Sequence, residues 1–102
     1  MIIEKIQVLR GPNIWSISRA KLIQMRLNLQ DIEQSPTNKI EGFKERLENL
    51  LPSLHNHRCS PGELGGFLQR VEKGTWMGHV IEHIALEMQT LAGMYCGYGR
   101  TR

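Results

Sequence analysis

In the stretch GHVIEHIALE, residues 78–87, three side chains have the types and spacing of a hydrolytic metal site: His79, Glu82 and His83. On a helix, His79 and His83 lie one turn apart and about 40° from each other around the axis. Two imidazoles so placed can hold one Zn²⁺ at about 2.0–2.1 Å each. Glu82 lies beside His83 and roughly 60° from His79. A metal there polarises a scissile carbonyl and lowers the pKa of a water toward about 7. The carboxylate serves as general base, then as acid to the leaving amine. The order H-x-x-E-H inverts the H-E-x-x-H motif of metallopeptidases, and the same chemistry works in either order. The plain alternative is a pair of half-buried, hydrogen-bonded histidines with Glu82 in a salt bridge.

Catalytic zinc usually has three protein ligands, so two histidines are incomplete. Cys59 ranks first as the third, because it precedes an expected helix start, where the helix dipole favours a thiolate. His57 ranks second. Glu87, one turn beyond His83, ranks third, since three ligands on one straight helix close poorly around a tetrahedral ion. His55 lies in the same loop as His57 and Cys59. Without the helix motif, Cys59 reads as a small core residue and the two loop histidines as solvated.

These residues need elements to place them. Ile2 to Leu9 reads as a strand, and GPN at 11–13 as a turn. Ile23, Met25, Leu27 and Leu29 alternate with polar residues, which predicts a strand with one buried face. SPTN at 35–38 breaks the chain. Ile40, Phe43, Leu47, Leu50 or Leu51, and Leu54 recur at helical spacing, with an end or kink near Pro52. HNHRCSPG at 55–62 is loop-like. Ser60, Pro61 and Glu63 predict a helix start, with Leu64, Phe67, Leu68 and Val71 as its buried side and Gly74 as terminator. Thr75 is the expected cap of a helix from Trp76 to Leu91, with Met77, Val80, Ile81, Ile84, Met88 and Leu91 as its core stripe. Trp76 and Phe67 are read as core. MYCGYGRTR could add a strand. Strands first and helices later predict an α+β fold: a small antiparallel or mixed sheet with about three helices on one face, in a single domain spanning 1–102.

The chain has 102 residues and a net charge of +3. Its basic residues form no run, which argues against nucleic acid. No apolar run reaches a membrane span's length, and MIIEKIQVLR is charged too early for a secretory signal. Cys59 and Cys96 do not make a disulfide framework, so a reduced, cytoplasmic setting is expected. Arg10, Asn13, Arg19, Arg70, Arg100 and Arg102 are candidate groove residues for an acidic or peptide-like chain. GELGG at 62–66 matches no nucleotide-binding loop.

Longer strings carry a resemblance. LRGPNIWS at 9–16, LPSL at 51–54, CSPG at 59–62, GGFLQRV at 65–71, GTWMGHVIEHIALEMQ at 74–89, and LAGM with GYGRTR are similar to the N-terminal domain of cyanophycin synthetases. That family consists of ATP-dependent ligases that build a polyaspartate backbone with arginine on each side chain. The resemblance implies that ligation, with its ATP and Mg²⁺, belongs to ATP-grasp and Mur-ligase-like domains that follow. It implies that the family's domain continues past GYGRTR, so this chain is an N-domain fragment. It implies further that the domain holds cyanophycin and, in some members, cuts it with zinc to make primers. The matching residues are His79, His83 and Cys59 as ligands and Glu82 as acid/base, with Arg10, Asn13, Arg70 and Arg100 expected at the substrate. The competing expectation is a non-catalytic tether that presents the polymer to the ligase domains.

Overall fold

The structure is a computed structural model, and it describes residues 2–10, 21–59, 63–94, 99 and 101. It divides into two compact units, residues 1–30 and 31–102.

The first unit is an antiparallel hairpin of β1 (Ile2–Arg10) and β2 (Lys21–Asn28). Glu4 and Lys5 together face Arg26, a bulge that resets the alternation. As a result Ile3, Ile6 and Val8 share one face with Leu27, Met25 and Ile23. The expected period of two is present, but the expected burial is not: Ile3, Ile6, Val8, Ile23 and Met25 are all exposed. Among the described residues of this unit the two strands form a single layer, with no second layer to cover a face. The turn expected at 11–13 lies outside the described residues, as do Asn13 and Arg19.

The second unit holds the core. After two short 3-10 segments, α1 runs Phe43–Leu50, and a 3-10 turn at Pro52–Asn56 follows. The helix therefore starts later than Ile40, because Gly42 takes a left-handed φ of 68° just before it. Leu51 packs against the core while Leu50 is 77% exposed. Next come α2 (Gly66–Lys73) and α3 (Met77–Leu91). Leu47, Leu54, Phe67, Leu68, Val71 and Val80 make the buried cluster. Phe67 thus meets its expectation.

Three expectations around α2 and α3 are corrected. The first concerns the start of α2, at Gly66 rather than near Ser60–Glu63. Gly65 has φ 79°, which no right-handed helix residue adopts, so the helix does not run unbroken from Glu63, and Leu64 is 62% exposed; Ser60 and Pro61 lie outside the described residues. The second is Thr75, whose side chain caps nothing; Trp76 is the N-cap residue of α3 and is 57% exposed, not core. The third is the apolar stripe of α3. Val80 is buried and Met77 and Ile84 pack on the core, but Met88 and Leu91 are exposed. The buried residues of α3 are Val80, His83 and Glu87.

A threonine pair fixes the α2–α3 junction. Thr37 N–H donates to Thr75 O at 2.8 Å, and Thr75 N–H donates to Thr37 Oγ1 at 2.9 Å. Thr37 Oγ1 donates in turn to Val71 O at 2.7 Å. Gly74, the expected terminator, ends α2 at φ 117°, and a Cβ there would meet the Asn38 side chain at 2.9 Å. Junction and core together set the position from which His79 enters α3. The strand considered for MYCGYGRTR falls mostly outside the described residues, as do Cys96, Arg100 and Arg102.

Candidate metal centre

Side chains at 75, 79, 83 and 87 follow one another every four residues, so they rise along a single ridge of α3 and its approach. His79 and His83 turn their rings together, with Nε2 to Nε2 at 3.1 Å. Cys59 Sγ comes from the preceding loop to 3.4 Å from His79 Nε2. The three donor atoms lie within 4.8 Å of one another. Around a tetrahedral zinc, N···N edges are about 3.3 Å and S···N edges about 3.6 Å, from the standard bond lengths. Among the described residues this is the group that could hold a metal, and its donor types and the 3.1 and 3.4 Å separations suit one.

Cys59 reaches the site because α2 begins with glycines. A Cβ on Gly66 would sit 3.3 Å from the Cys59 backbone nitrogen, so a side chain there would push the loop away. Phe67 N–H also donates to His57 O at 3.4 Å, tying the loop to the helix start. Cys59 is a free thiol.

Each imidazole is held from behind. Phe67 stacks on His83 with ring centroids 4.0 Å apart and 17° between planes, and meets His79 edge-on at 5.7 Å. Thr75 Oγ1 lies 3.0 Å from His79 Nδ1. His57 Nδ1 lies 3.0 Å from His83 Nδ1, and His57 Nε2 lies 2.6 Å from Glu87 Oε2. His57 and Glu87, weighed above as third ligands, therefore stand one shell behind the donors. No role at the site is expected of Thr75 or Phe67 from sequence. Thr75 was legible from its spacing of four before His79; Phe67 was not, because its stacking depends on how α2 crosses α3.

Burial lowers His83 to about 4, helped by the neighbouring His79 and His57, so its ring is neutral at pH 7. For Glu87, burial acts to raise the pKa, but hydrogen bonds from His57 and Ser53 are among the interactions that outweigh it and hold the carboxyl below its usual value. A neutral imidazole is the form that binds metal, so burial here favours the ligand state. In metal-free protein the same shift makes stability depend on pH. Between about 6.5 and about 4, unfolded His83 is protonated and folded His83 is not, so the unfolded chain carries the extra proton. Stability therefore falls as pH drops through that window, by about 3 kcal/mol from His83. Chemical denaturation of chelated protein at stepped pH measures the slope. A His83→Gln variant flattens it; an unaltered slope in that variant would remove His83 as its source.

Cys59, Gly66, Gln69, Arg70, Lys73, Thr75 and His79 line a cleft of about 470 Å³. Arg70 and Lys73 bring positive charge to the cleft, and no carboxylate is among the described lining residues. Arg70 is thus beside two of the expected ligands. Arg10 lies on β1 in the other unit, and Asn13 and Arg100 lie outside the described residues. Glu82 is half-buried and its carboxylate accepts a hydrogen bond from Thr101 Oγ1. It is not a member of the Cys59–His79–His83 group. No helix among the described residues is long and apolar enough to cross a membrane.

Comparison with known proteins gives a consistent result. The family model described as the cyanophycin synthase-like N-terminal domain matches residues 24–102. Over all 102 residues the chain is 62% identical to a cyanophycin synthetase of Trichormus variabilis and spans 11% of it. It is 62% identical to the Geminocystis herdmanii cyanophycin synthetase and 60% identical to that of a Synechocystis species, spanning 12% of each.

Proposed function

The chain belongs to the cyanophycin synthase-like N-terminal domain family, and from that membership we propose that it binds cyanophycin and hydrolyses its polyaspartyl backbone with zinc, generating primers for polymer synthesis. The observation that carries this reading is the convergence of Cys59 Sγ, His79 Nε2 and His83 Nε2, with Cys59 and His79 lining a cationic cleft. Cys59, His79 and His83 would hold the ion, a Cys/His donor set suited to zinc. When bound, the ion supplies Lewis acidity and an acidified water.

The chain's own residues do the rest. Glu82 takes the proton and returns it to the departing amine. Thr75 and Phe67 keep the His79 ring in place. Arg70 and Lys73 receive carboxylates of the polymer and set its backbone across the cleft; Arg10, Asn13 and Arg100 are further proposed substrate contacts. ATP-dependent ligation would belong to the ATP-grasp and Mur-ligase-like domains of the full-length enzyme, acting in the cytoplasm beside this domain.

One observation favours a second reading. The pairing of Glu82 with Thr101, apart from the donor group, suits a domain that only tethers the polymer for those ligase domains. Incubating purified protein with soluble cyanophycin, with and without a chelator, separates the two. Shortened chains that appear with zinc and stop with chelator are expected. Polymer bound but uncut by zinc-loaded protein supports the tether and defeats the hydrolase.

A further inference from the structure

We propose that Glu87 and His57 form a relay that fixes the tautomer of His83, leaving its Nε2 bare for metal; this rests on the metal-site reading above. A carboxylate offers only lone pairs. Glu87 Oε2 at 2.6 Å from His57 Nε2 therefore requires the His57 proton at Nε2. The other nitrogen of a neutral His57, Nδ1, is then an acceptor. It lies 3.0 Å from His83 Nδ1, so His83 must donate from Nδ1. The proton is accounted for, and His83 Nε2 carries a free pair aimed at His79 Nε2 and the Cys59 side. The opposite order would put the His57 Nε2 lone pair against a carboxylate oxygen at 2.6 Å, two acceptors face to face.

The relay is built, not incidental. Glu87 is 4% exposed and His83 6%, and no buried side-chain polar atom is left unpartnered among the described residues. Ser53 adds a second hydrogen bond on Glu87. The negative charge also acts through two rings, strengthening His83 as a donor, as carboxylates behind metal-binding histidines do. His79 has a different device. The Thr75 hydroxyl at 3.0 Å can either donate or accept, so the His79 ring is free to change tautomer when metal arrives. Of the two imidazoles, His83 is preset and His79 adapts. His57 and Glu87 touch no donor position of the site, so they are positioning residues.

The test uses the chelated parent protein, a Glu87→Gln variant and zinc. Nitrogen-15 NMR of the metal-free parent should show His83 protonated at Nδ1, the rarer form in water. Glutamine keeps the shape but can donate as well as accept, so the variant should show mixed tautomers. Its zinc dissociation constant, from competition with a chromophoric chelator, should rise about 10–100-fold. A metal-free thermal midpoint close to the parent's confirms that the variant folds. A His83 proton on Nε2 in the metal-free parent overturns the relay; this includes the case of a doubly protonated His57, which would donate to His83. Affinity within twofold of the parent in Glu87→Gln overturns it too. Should the parent bind no zinc, the metal reading falls while the tautomer result still judges the relay.

Discussion

Replacing Glu82 with glutamine is expected to leave zinc bound and polymer affinity intact while cleavage falls about 10²–10⁴-fold, the usual contribution of a positioned general base. Glutamine has the same shape and its amide oxygen can still accept from Thr101 Oγ1, the partner Glu82 has here. Only proton uptake is lost. Because Glu82 is outside the donor group, its removal should not disturb the ligands. The readout is initial rate of chain shortening alongside zinc content and polymer binding on the same preparations. A variant that cuts at the parent's rate would show that another group takes the proton. A variant that loses zinc would mean Glu82 is itself a ligand.

The second large effect is the loss of metal in His79→Ala. Zinc binding in small sites is worth about 10–16 kcal/mol; spread over four positions, one ligand carries roughly 3 kcal/mol or more, or about 10²–10³-fold in affinity. His79 is the residue whose Nε2 lies close to both other donors, at 3.1 and 3.4 Å. Its loss leaves Cys59 and His83 without the atom between them. Metal analysis after dialysis against a weak chelator should fall from near one zinc per chain to background. The chelated variant should still unfold cooperatively, since His79 is not itself a member of the buried core cluster. Retained stoichiometric zinc would contradict the assignment.

The parts of the site that were legible in the sequence are the local ones. A spacing of four on a helix brings His79 and His83 together whatever the rest of the chain does, and the two rings do converge. Cys59 was readable from its type and its place before a helix, although the helix begins later than expected. The roles of His57 and Glu87 were not. Their types mark both as possible ligands, but whether they join the donor group or stand behind it depends on the depth of the loop against α3, which periodicity does not encode. Thr75 shows the same limit from the other side. Its sequence context is that of a helix cap, yet Thr37, 38 residues away, takes its backbone N–H, and its hydroxyl goes to His79. The hairpin's alternation was correct as a strand signal and wrong as a burial signal, because alternation reports a face and not what covers it. The α+β class followed from element order alone.

The account rests on one ion held by Cys59, His79 and His83. X-ray absorption at the zinc edge, on protein purified without added chelator, tests that most directly. The expected shell has one sulfur near about 2.3 Å, two imidazole nitrogens near about 2.0–2.1 Å and one further light atom, with the sulfur lost in Cys59→Ser. A protein that carries no zinc after purification and takes up none on titration would contradict it, as would a zinc shell without sulfur.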